Sequence, residues 1–456
     1  MNKSPLKILI LVSLVVLLLI PLHWLPALKL GDYDVKRISI VSDILPELAT
    51  SKTESLPALP PLPPIQKRMA VGAKTMHKMD TVPKGLVQIL DYDDGDGFGM
   101  SRFYKALERR KTLGRPVRIA YLGDSFIESD MMTSSLRTQL QQKFGGRGVG
   151  FVDMAPPYAS MRTTVRQTYD GWIETNILQK GSFNSRYLNI SQRFFTPDSI
   201  AWTDIRGVSL YGLDSTDVHT MFLYTSGPHT VNVTLDKGPV LKMITQGTEK
   251  VEALTLYGRA QRSRWLIPSG NQVKCFGVAE ESRSGLILDN FSLRGSSGMQ
   301  LSTLSEINMK QWNAVRPYDL IVLQFGLNVA NKNQTNYSSY ISQMKKVIER
   351  MKVAFPQSGF LIVGVGDRGS RNENGEITTM PGIVALSHYQ QNLAAETHVA
   401  FWNLYEAMGG EGAMGRMAEA YPVEAAKDYT HITHKGGKRV STLLYKSMIY
   451  GYEQSK

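Results

Sequence analysis

The stretch RIAYLGDSFIESD, Arg118 to Asp130, decides how the chain is read. An apolar run climbs to Gly123-Asp124-Ser125. Beyond it Met132, Leu136, Leu140 and Phe144 recur every four residues, which places one apolar stripe on one face of a helix. KFGGRGVG then ends that helix with glycines. A small polar serine at the tip of a buried strand is either a turn residue or a nucleophile held at the top of a sheet.

Outward from this stretch the same strand–turn–helix grammar recurs. YDLIVLQFGLN is a buried strand into a turn, and SSYISQMKKVIERMKVAF an amphipathic helix. GFLIVGVGD, GIVALSHYQQNLAAETH and VAFWNLYEAMGG repeat the alternation. Apolar strands alternating with helices predict an α/β fold with a mostly parallel sheet covered on both faces. Between about Ser160 and Ser284 the texture changes to short alternating segments such as TMFLYTSGPHTVNVTLDKG and KVEALTLYG. These predict an antiparallel, jelly-roll-like β-sandwich inserted in the α/β domain. The expected division is 85–160 and 285–456 for the α/β domain, with 161–284 as the insert.

The 456 residues are 42% hydrophobic and 20% charged, which is a globular composition. The formal charge of +12 suits anionic surroundings. No block of Lys and Arg marks a nucleic-acid site, so the charge reads as a dispersed, solvated surface. The single cysteine, Cys275, excludes an internal disulfide framework and reads as a small buried hydrophobe.

At the amino terminus, MNKSPLK precedes ILILVSLVVLLLIPLHWLPAL. Its length approaches the roughly 20 residues of a membrane span, and no small-x-small cleavage site follows. Residues 1–30 are therefore expected to be an uncleaved signal anchor. They would hold a single-pass protein in a bacterial inner membrane, with its folded part in the periplasm. Residues 31–84 read as a tether whose LPALPPLPPIQ is a polyproline-type spacer. DYDDGDG, Asp91 to Gly97, lacks the fifth-position and twelfth-position ligands of a calcium loop and reads as a polar turn.

A serine nucleophile needs a base, an acid that orients the base, and donors for the oxyanion. Near the carboxyl end, in KDYTHITHKGG, Asp428 and His431 stand three apart, so one turn can bring the carboxylate against an imidazole nitrogen. A polar loop before a last helix is the plainer reading of this segment alone. Asp428, His431 and His434 as metal ligands is another, although no further ligand cluster accompanies them. LRGSSGMQL follows a strand and offers the Gly298 N–H; LQFGLN follows another and offers the Asn328 amide. Ligands in open α/β sheets gather at the carboxyl ends of strands. Asp124 beside the serine, and Arg368 in GDRGSRNENG, are candidate substrate contacts, a solvated loop charge being the alternative for Arg368.

GDSF, GSSG, FGLN and DYTH, in that order, resemble the four signature blocks of the SGNH (GDSL-type) hydrolases. The resemblance covers Pro116 to Gly150 and Gly285 onward. It implies a three-layer α/β/α domain with Ser125 as nucleophile and Asp428 and His431 completing a triad. It also implies an oxyanion hole made by the N–H groups of Ser125 and Gly298 and the Asn328 amide, with Gly295 an alternative to Gly298. Phe126 replaces the usual Leu, and Val329 replaces the Asp that commonly follows the Asn. Ile127 stands where G-x-S-x-G would require glycine, which argues against an ordinary α/β-hydrolase elbow.

The interrupted layout is similar to bacterial peptidoglycan O-acetylesterases, whose insert is a carbohydrate-binding-module-like sandwich. That implies ester hydrolysis on an O-acetylated cell-envelope glycan, with no cofactor and no metal. An O-acetyltransferase partnered by a membrane-bound O-acyltransferase, a non-catalytic glycan-binding scaffold, and a lipase or thioesterase are the alternatives. Trp202, Tyr211, Tyr224, Tyr257 and Trp265 are candidates for stacking on sugar rings.

Overall fold

The computed structural model describes residues 29–30, 33–34, 82–180, 184–209, 214–268 and 272–456. Residues 1–28 of the expected anchor, the polyproline spacer and Tyr211 lie outside them. Among the described residues no helix is long and apolar enough to cross a membrane. The two-residue strands Lys29–Leu30 and Tyr33–Asp34 pair with each other in a separate unit, Met1–Leu56. The second unit, Pro57–Lys456, holds the other described strands and helices.

A six-stranded sheet forms the α/β part of this second unit. In chain order its first strands are β1 (Leu90–Asp91) and β2 (Val117–Gly123), with α1 (Ser101–Glu108) between them. Every residue of β2 is buried, as expected of a central strand covered on both faces. α2 (Thr133–Phe144) follows it and buries Leu136, Leu140 and Phe144.

The chain then leaves for the antiparallel region: β3 (Gly150–Asp153), β4 (Val165–Asn176), β5 (Arg193–Gly207), β6 (Thr216–Tyr224), β7 (Thr230–Leu235), β8 (Leu241–Ile244), β9 (Val251–Ala260), β10 (Arg262–Ile267) and β11 (Lys274–Glu281). One set runs β4-β5-β10-β7-β8, the other β3-β11-β6-β9, and a single pairing of Cys275 with Phe195 joins them. Val152, Met221, Val278, Phe195, Val233 and Trp265 come from both sets into one apolar core. The antiparallel region therefore begins at Gly150, ahead of the expected residue 161. FVD is too short to show alternation, and only its pairing with β11 reveals the sheet it joins. The chain leaves and re-enters the α/β part side by side, at Gly146 and Gly285.

The α/β part resumes with β12 (Leu286–Ser292), α3 (Glu306–Val315), β13 (Leu320–Gln324), α4 (Ser338–Ala354) and β14 (Gly359–Val363). A small hairpin, β15 (Gly369–Arg371) and β16 (Ile377–Thr379), precedes α5 (Pro381–Glu396), β17 (Ala400–Trp402), α6 (Leu404–Met408), α7 (Ala413–Glu419) and α8 (His434–Ser455). The strand order is β12-β2-β13-β14-β17-β1, parallel except for β1. From β2 the chain goes first to one neighbour and later to the other, so the order reverses there. The carboxyl ends of β12, β2 and β13 frame the crevice where an open α/β sheet binds ligands.

The two parts share a core. Phe151, Phe222 and Phe276 of the antiparallel region surround Trp312 of α3 with ring centroids 5.5, 5.1 and 5.7 Å away. Beside them Arg316 donates to Asp289 at 2.6 Å and to Glu281 at 2.9 Å, and Glu281 also receives Arg118 at 2.5 Å. Burial opposes the Glu281 charge, but Arg118 and Arg316 outweigh it and hold the carboxyl at about 2. Asp91 accepts the Met100 N–H, and Asp93 those of Gly95 and Gly97, which folds DYDDGDG into a polar turn.

Candidate active site

Ser125 stands two residues past β2, at the crevice. A Cβ at Gly123 would lie 2.9 Å from the Gln324 carbonyl oxygen, so only glycine lets β2 end this close to β13. Asp124 is buried behind the serine, where its Oδ1 accepts the Phe126 N–H at 2.9 Å and its Oδ2 the Asn328 amide at 3.3 Å. Burial pushes Asp124 up to about 6, against the pull of the Phe126 N–H, His431 and Asn328.

The opposite wall is the DYTH segment. Ala425 and Ile432 pair across it, and the Ala426 N–H bonds to the His431 carbonyl at 2.8 Å, closing a tight hairpin with Tyr429 at φ +52°. The turn is packed onto the serine loop because α8 begins with glycines. A Cβ at Gly437 would fall 1.9 Å from the Met131 carbonyl oxygen, and one at Gly436 2.0 Å from that of Glu424.

Within this frame Ser125 Oγ lies 3.1 Å from His431 Nε2, and His431 Nδ1 lies 2.7 Å from Asp428 Oδ2. Asp428 Oδ1 accepts the backbone N–H groups of Thr430 at 2.9 Å and His431 at 3.0 Å. Burial disfavours the Asp428 charge, but the hydrogen bonds from His431 and Thr430 prevail and hold the carboxyl below its ordinary value. With Nδ1–H fixed on the carboxylate, Nε2 presents its lone pair to the serine hydroxyl. Ser125 and His431 open on a pocket of about 340 Å³ whose apolar walls include Met131, Met161 and Ile432.

The donors are arranged differently from expectation. The Gly298 N–H is bonded to Ser296 Oγ at 3.2 Å, and the residue is buried against Phe325. Leu293 to Ser296 instead form a turn closed by Ser296 N–H to Leu293 O at 3.0 Å, with Gly295 at φ +81°. Glycine is favoured at that third turn position, and its N–H points away from the turn. The N–H groups of Gly295 and Ser125 make no hydrogen bond within the described protein. Asn328 Nδ2 donates to the Ser296 carbonyl at 3.0 Å as well as to Asp124, which ties the β12 and β13 loops to the serine turn.

No family model matches the chain, and no curated protein is similar enough to stand as a relative. Solved structures are similar. A peptidoglycan O-acetylesterase superposes with a TM-score of 0.65 at 20% identity, covering 80% of this chain and 99% of that one. The chain shares that esterase's fold. A family two carbohydrate esterase from Cellvibrio japonicus (TM-score 0.26, 9% identity, 63% and 99% of the two chains) and an acetyl xylan esterase (0.27, 14%, 36% and 80%) are also matched.

Within this esterase-like fold the remaining sequence candidates fall apart from one another. Arg368 donates to the Leu327 carbonyl at 3.1 Å and braces the loop that carries Asn328. Trp265 and Tyr224 are buried, and Trp202 carries the Arg264 guanidinium 4.0 Å from its ring centre. Among the described candidates only Tyr257, 67% exposed, presents an open face, shared with Arg283. Among the described residues no group of His, Cys, Asp and Glu is arranged to hold a metal.

One cluster had no sequence signal. Ser129 and Asp130, just past the nucleophile, both have positive φ, 54° and 62°. The Asp130 carboxylate is fully buried and receives Arg137 twice at 3.1 Å, Arg162 at 2.9 Å, Thr133 at 2.7 Å, Thr164 at 2.5 Å and Asn290 at 3.0 Å. Burial opposes its charge, yet Arg137 and Arg162 hold it well below the usual carboxylate range. Left-handed backbone at two non-glycine residues costs about 1–3 kcal/mol each, and this network is what over-determines it.

Proposed function

We propose that this chain is a serine-dependent carbohydrate O-acetylesterase acting on an O-acetylated cell-envelope glycan. The observation that carries the reading is the unbroken Ser125–His431–Asp428 relay, 3.1 and 2.7 Å, open to a pocket beside unused N–H donors. The fold shared with a peptidoglycan O-acetylesterase supports the substrate class.

Ser125 Oγ attacks the acetyl carbonyl carbon while His431 Nε2 takes its proton. The carbonyl oxygen becomes an oxyanion held by the N–H groups of Ser125 and Gly295, with the Asn328 amide exchanging its longer bond to Asp124 for the oxyanion. Asp428 steadies the imidazolium through Nδ1. The C–O bond to the sugar then breaks, and His431 returns the proton to the sugar oxygen. Water repeats the sequence on the acetyl-enzyme to give acetate. Preorganised donors act where charge develops, and each is worth on the order of 100-fold or more in turnover. The chain's apolar amino-terminal run supports a membrane-anchored, periplasmic placement of this chemistry.

The test is acetate release from O-acetylated peptidoglycan fragments, followed by mass spectrometry in the wild type and Ser125→Ala. The expected outcome is acetate in the wild type and a loss of at least about 10⁴-fold in the variant. Equal inertness of both sinks the proposal. Acetylated chitooligosaccharide formed from an aryl acetate donor at the expense of free acetate would convert it to a transferase.

A further inference from the structure

Next to the catalytic pocket lies a second cavity of about 270 Å³, and the two share Glu128, Ser129 and Arg294 as walls. The rest of its lining draws on both parts of the fold, including Asn290, Ser292 and Leu293 at the end of β12, and Asp153, Tyr158, Arg162, Glu174, Asn176 and Arg193 from the antiparallel side. The chemistry of this lining is specific. Each of its three guanidinium groups already has a carboxylate: Arg294 on Glu128 at 2.5 Å, Arg162 on Asp130 at 2.9 Å, and Arg193 on Asp153 at 3.2 Å with Glu174 at 3.9 Å. Arg137 also pairs with Asp130, so four carboxylates meet four guanidiniums and the lining offers an anionic ligand no net positive charge, while Arg162 Nη2 and Arg193 Nε keep N–H groups without a partner.

Asp153 lies deep among these groups. Burial above all, and Glu174 with it, push its carboxyl up to about 6 against the pull of Arg193 and Arg162. Carboxylates with unused lone pairs accept hydroxyl and amide protons readily. Asn176, which donates to Glu174 at 3.0 Å, adds an amide. Tyr158 adds an apolar ring, 39% exposed, with the Arg294 guanidinium 5.2 Å from its centre. Polar groups at the walls and one aromatic platform suit a flat, hydroxyl-rich, uncharged ligand.

We propose that this junction cavity is a second saccharide subsite, which holds an uncharged pyranose of the glycan while the neighbouring acylated sugar lies at Ser125. Its part in turnover rests on the acetylesterase reading above. The subsite selects neutral sugars, amino sugars with amide substituents included, over uronic acids and phosphorylated units. The inserted region thereby contributes directly to the site, one sugar away from the ester.

The experiment titrates chitotriose and trigalacturonate into the full-length Ser125→Ala protein by calorimetry. Chitotriose is expected to bind at least tenfold more tightly than trigalacturonate. Ala159→Trp, which places an indole in the cavity, and Tyr158→Ala, which removes the platform, are each expected to weaken chitotriose at least tenfold. In the Ser125-containing enzyme, either change lowers kcat/KM on acetylated chitotriose at least tenfold more than on an aryl acetate, through KM. Equal affinity for the two trisaccharides overturns the proposal. So does chitotriose binding that ignores both substitutions. Tyr158-dependent chitotriose binding without acetate release from any glycan would leave the subsite standing and sink the esterase. Acetate release with kinetics blind to both substitutions would do the reverse.

Discussion

Two aspartates flank the nucleophile loop, and they are held in opposite ways. The Asp428 side chain is 51% exposed, and the hydrogen bonds it accepts come from within three residues of itself. Asp130 is 0% exposed, and its partners come from α2, from β12 and from the entry to the antiparallel region. Both carboxyls sit below their ordinary range, yet the first is built for chemistry and the second for position. Asp428 lies half in water, where its ion pair adds little to stability. A carboxylate that fixes a strained turn is placed where its removal leaves charges stranded.

The largest test of that contrast is Asp428→Asn. Turnover of an acetyl ester is expected to fall about 10³- to 10⁴-fold, because the imidazole loses its orienting acceptor. The melting temperature, read by calorimetry, should move by no more than about 2 °C. Asp130→Leu should behave inversely. It strands Arg137 and Arg162, so urea unfolding should show a loss of about 3–5 kcal/mol, with turnover per folded molecule reduced far less than by Asp428→Asn. A loss below about 1 kcal/mol would erase the distinction.

The glycine pair sharpens it further. Gly298→Ala drives a methyl to within 2.8 Å of the Phe325 ring and should destabilise by about 1–3 kcal/mol with modest kinetic change. Gly295→Ala meets no atom closer than 3.9 Å, so beyond about 1–2 kcal/mol of backbone strain at φ +81° its effect should appear in kcat as the turn rotates the N–H. The reverse pattern would return the oxyanion role to Gly298.

The smallest effects are in pH. Asp428 has a lowered carboxyl, so its contribution to stability is present above pH 3.8 and is lost as pH falls further. Asp124 has the opposite sign. The folded state binds its proton more tightly, so its contribution is complete below pH 3.8 and is lost as pH rises through about 6. Urea unfolding of Ser125→Ala with and without Asp124→Asn, between pH 4 and 7, should show the curves diverging in that direction.

How much of the molecule was legible in its sequence depends on how local each feature is. The strand into Ser125 and the three-residue step from Asp428 to His431 are sequence-local, and both stand in the fold where their spacing implies. Gly295 and Gly298 are chemically identical in sequence, and only turn geometry tells the open N–H from the spent one. The Asp130 network is assembled from residues far apart in the chain, so no window of sequence contains it. Trp265 reads as an aromatic candidate, yet its alternation within RSRWLI points it into the core.

The close approach of Gly146 and Gly285, where a Cβ on the latter would lie 2.2 Å from the former's nitrogen, has a consequence for assembly order. β2 and β12 are neighbours in the sheet but are separated by an excursion of about 140 residues, whose closure as a flexible loop would cost on the order of 4 kcal/mol. An excursion that has already folded with its two ends touching closes that loop before the parallel sheet forms. Pulse-labelled hydrogen exchange during refolding should therefore protect β6 and β11 ahead of β2 and β12. The interruption in the chain acts as a clamp that readies the parallel sheet for closure.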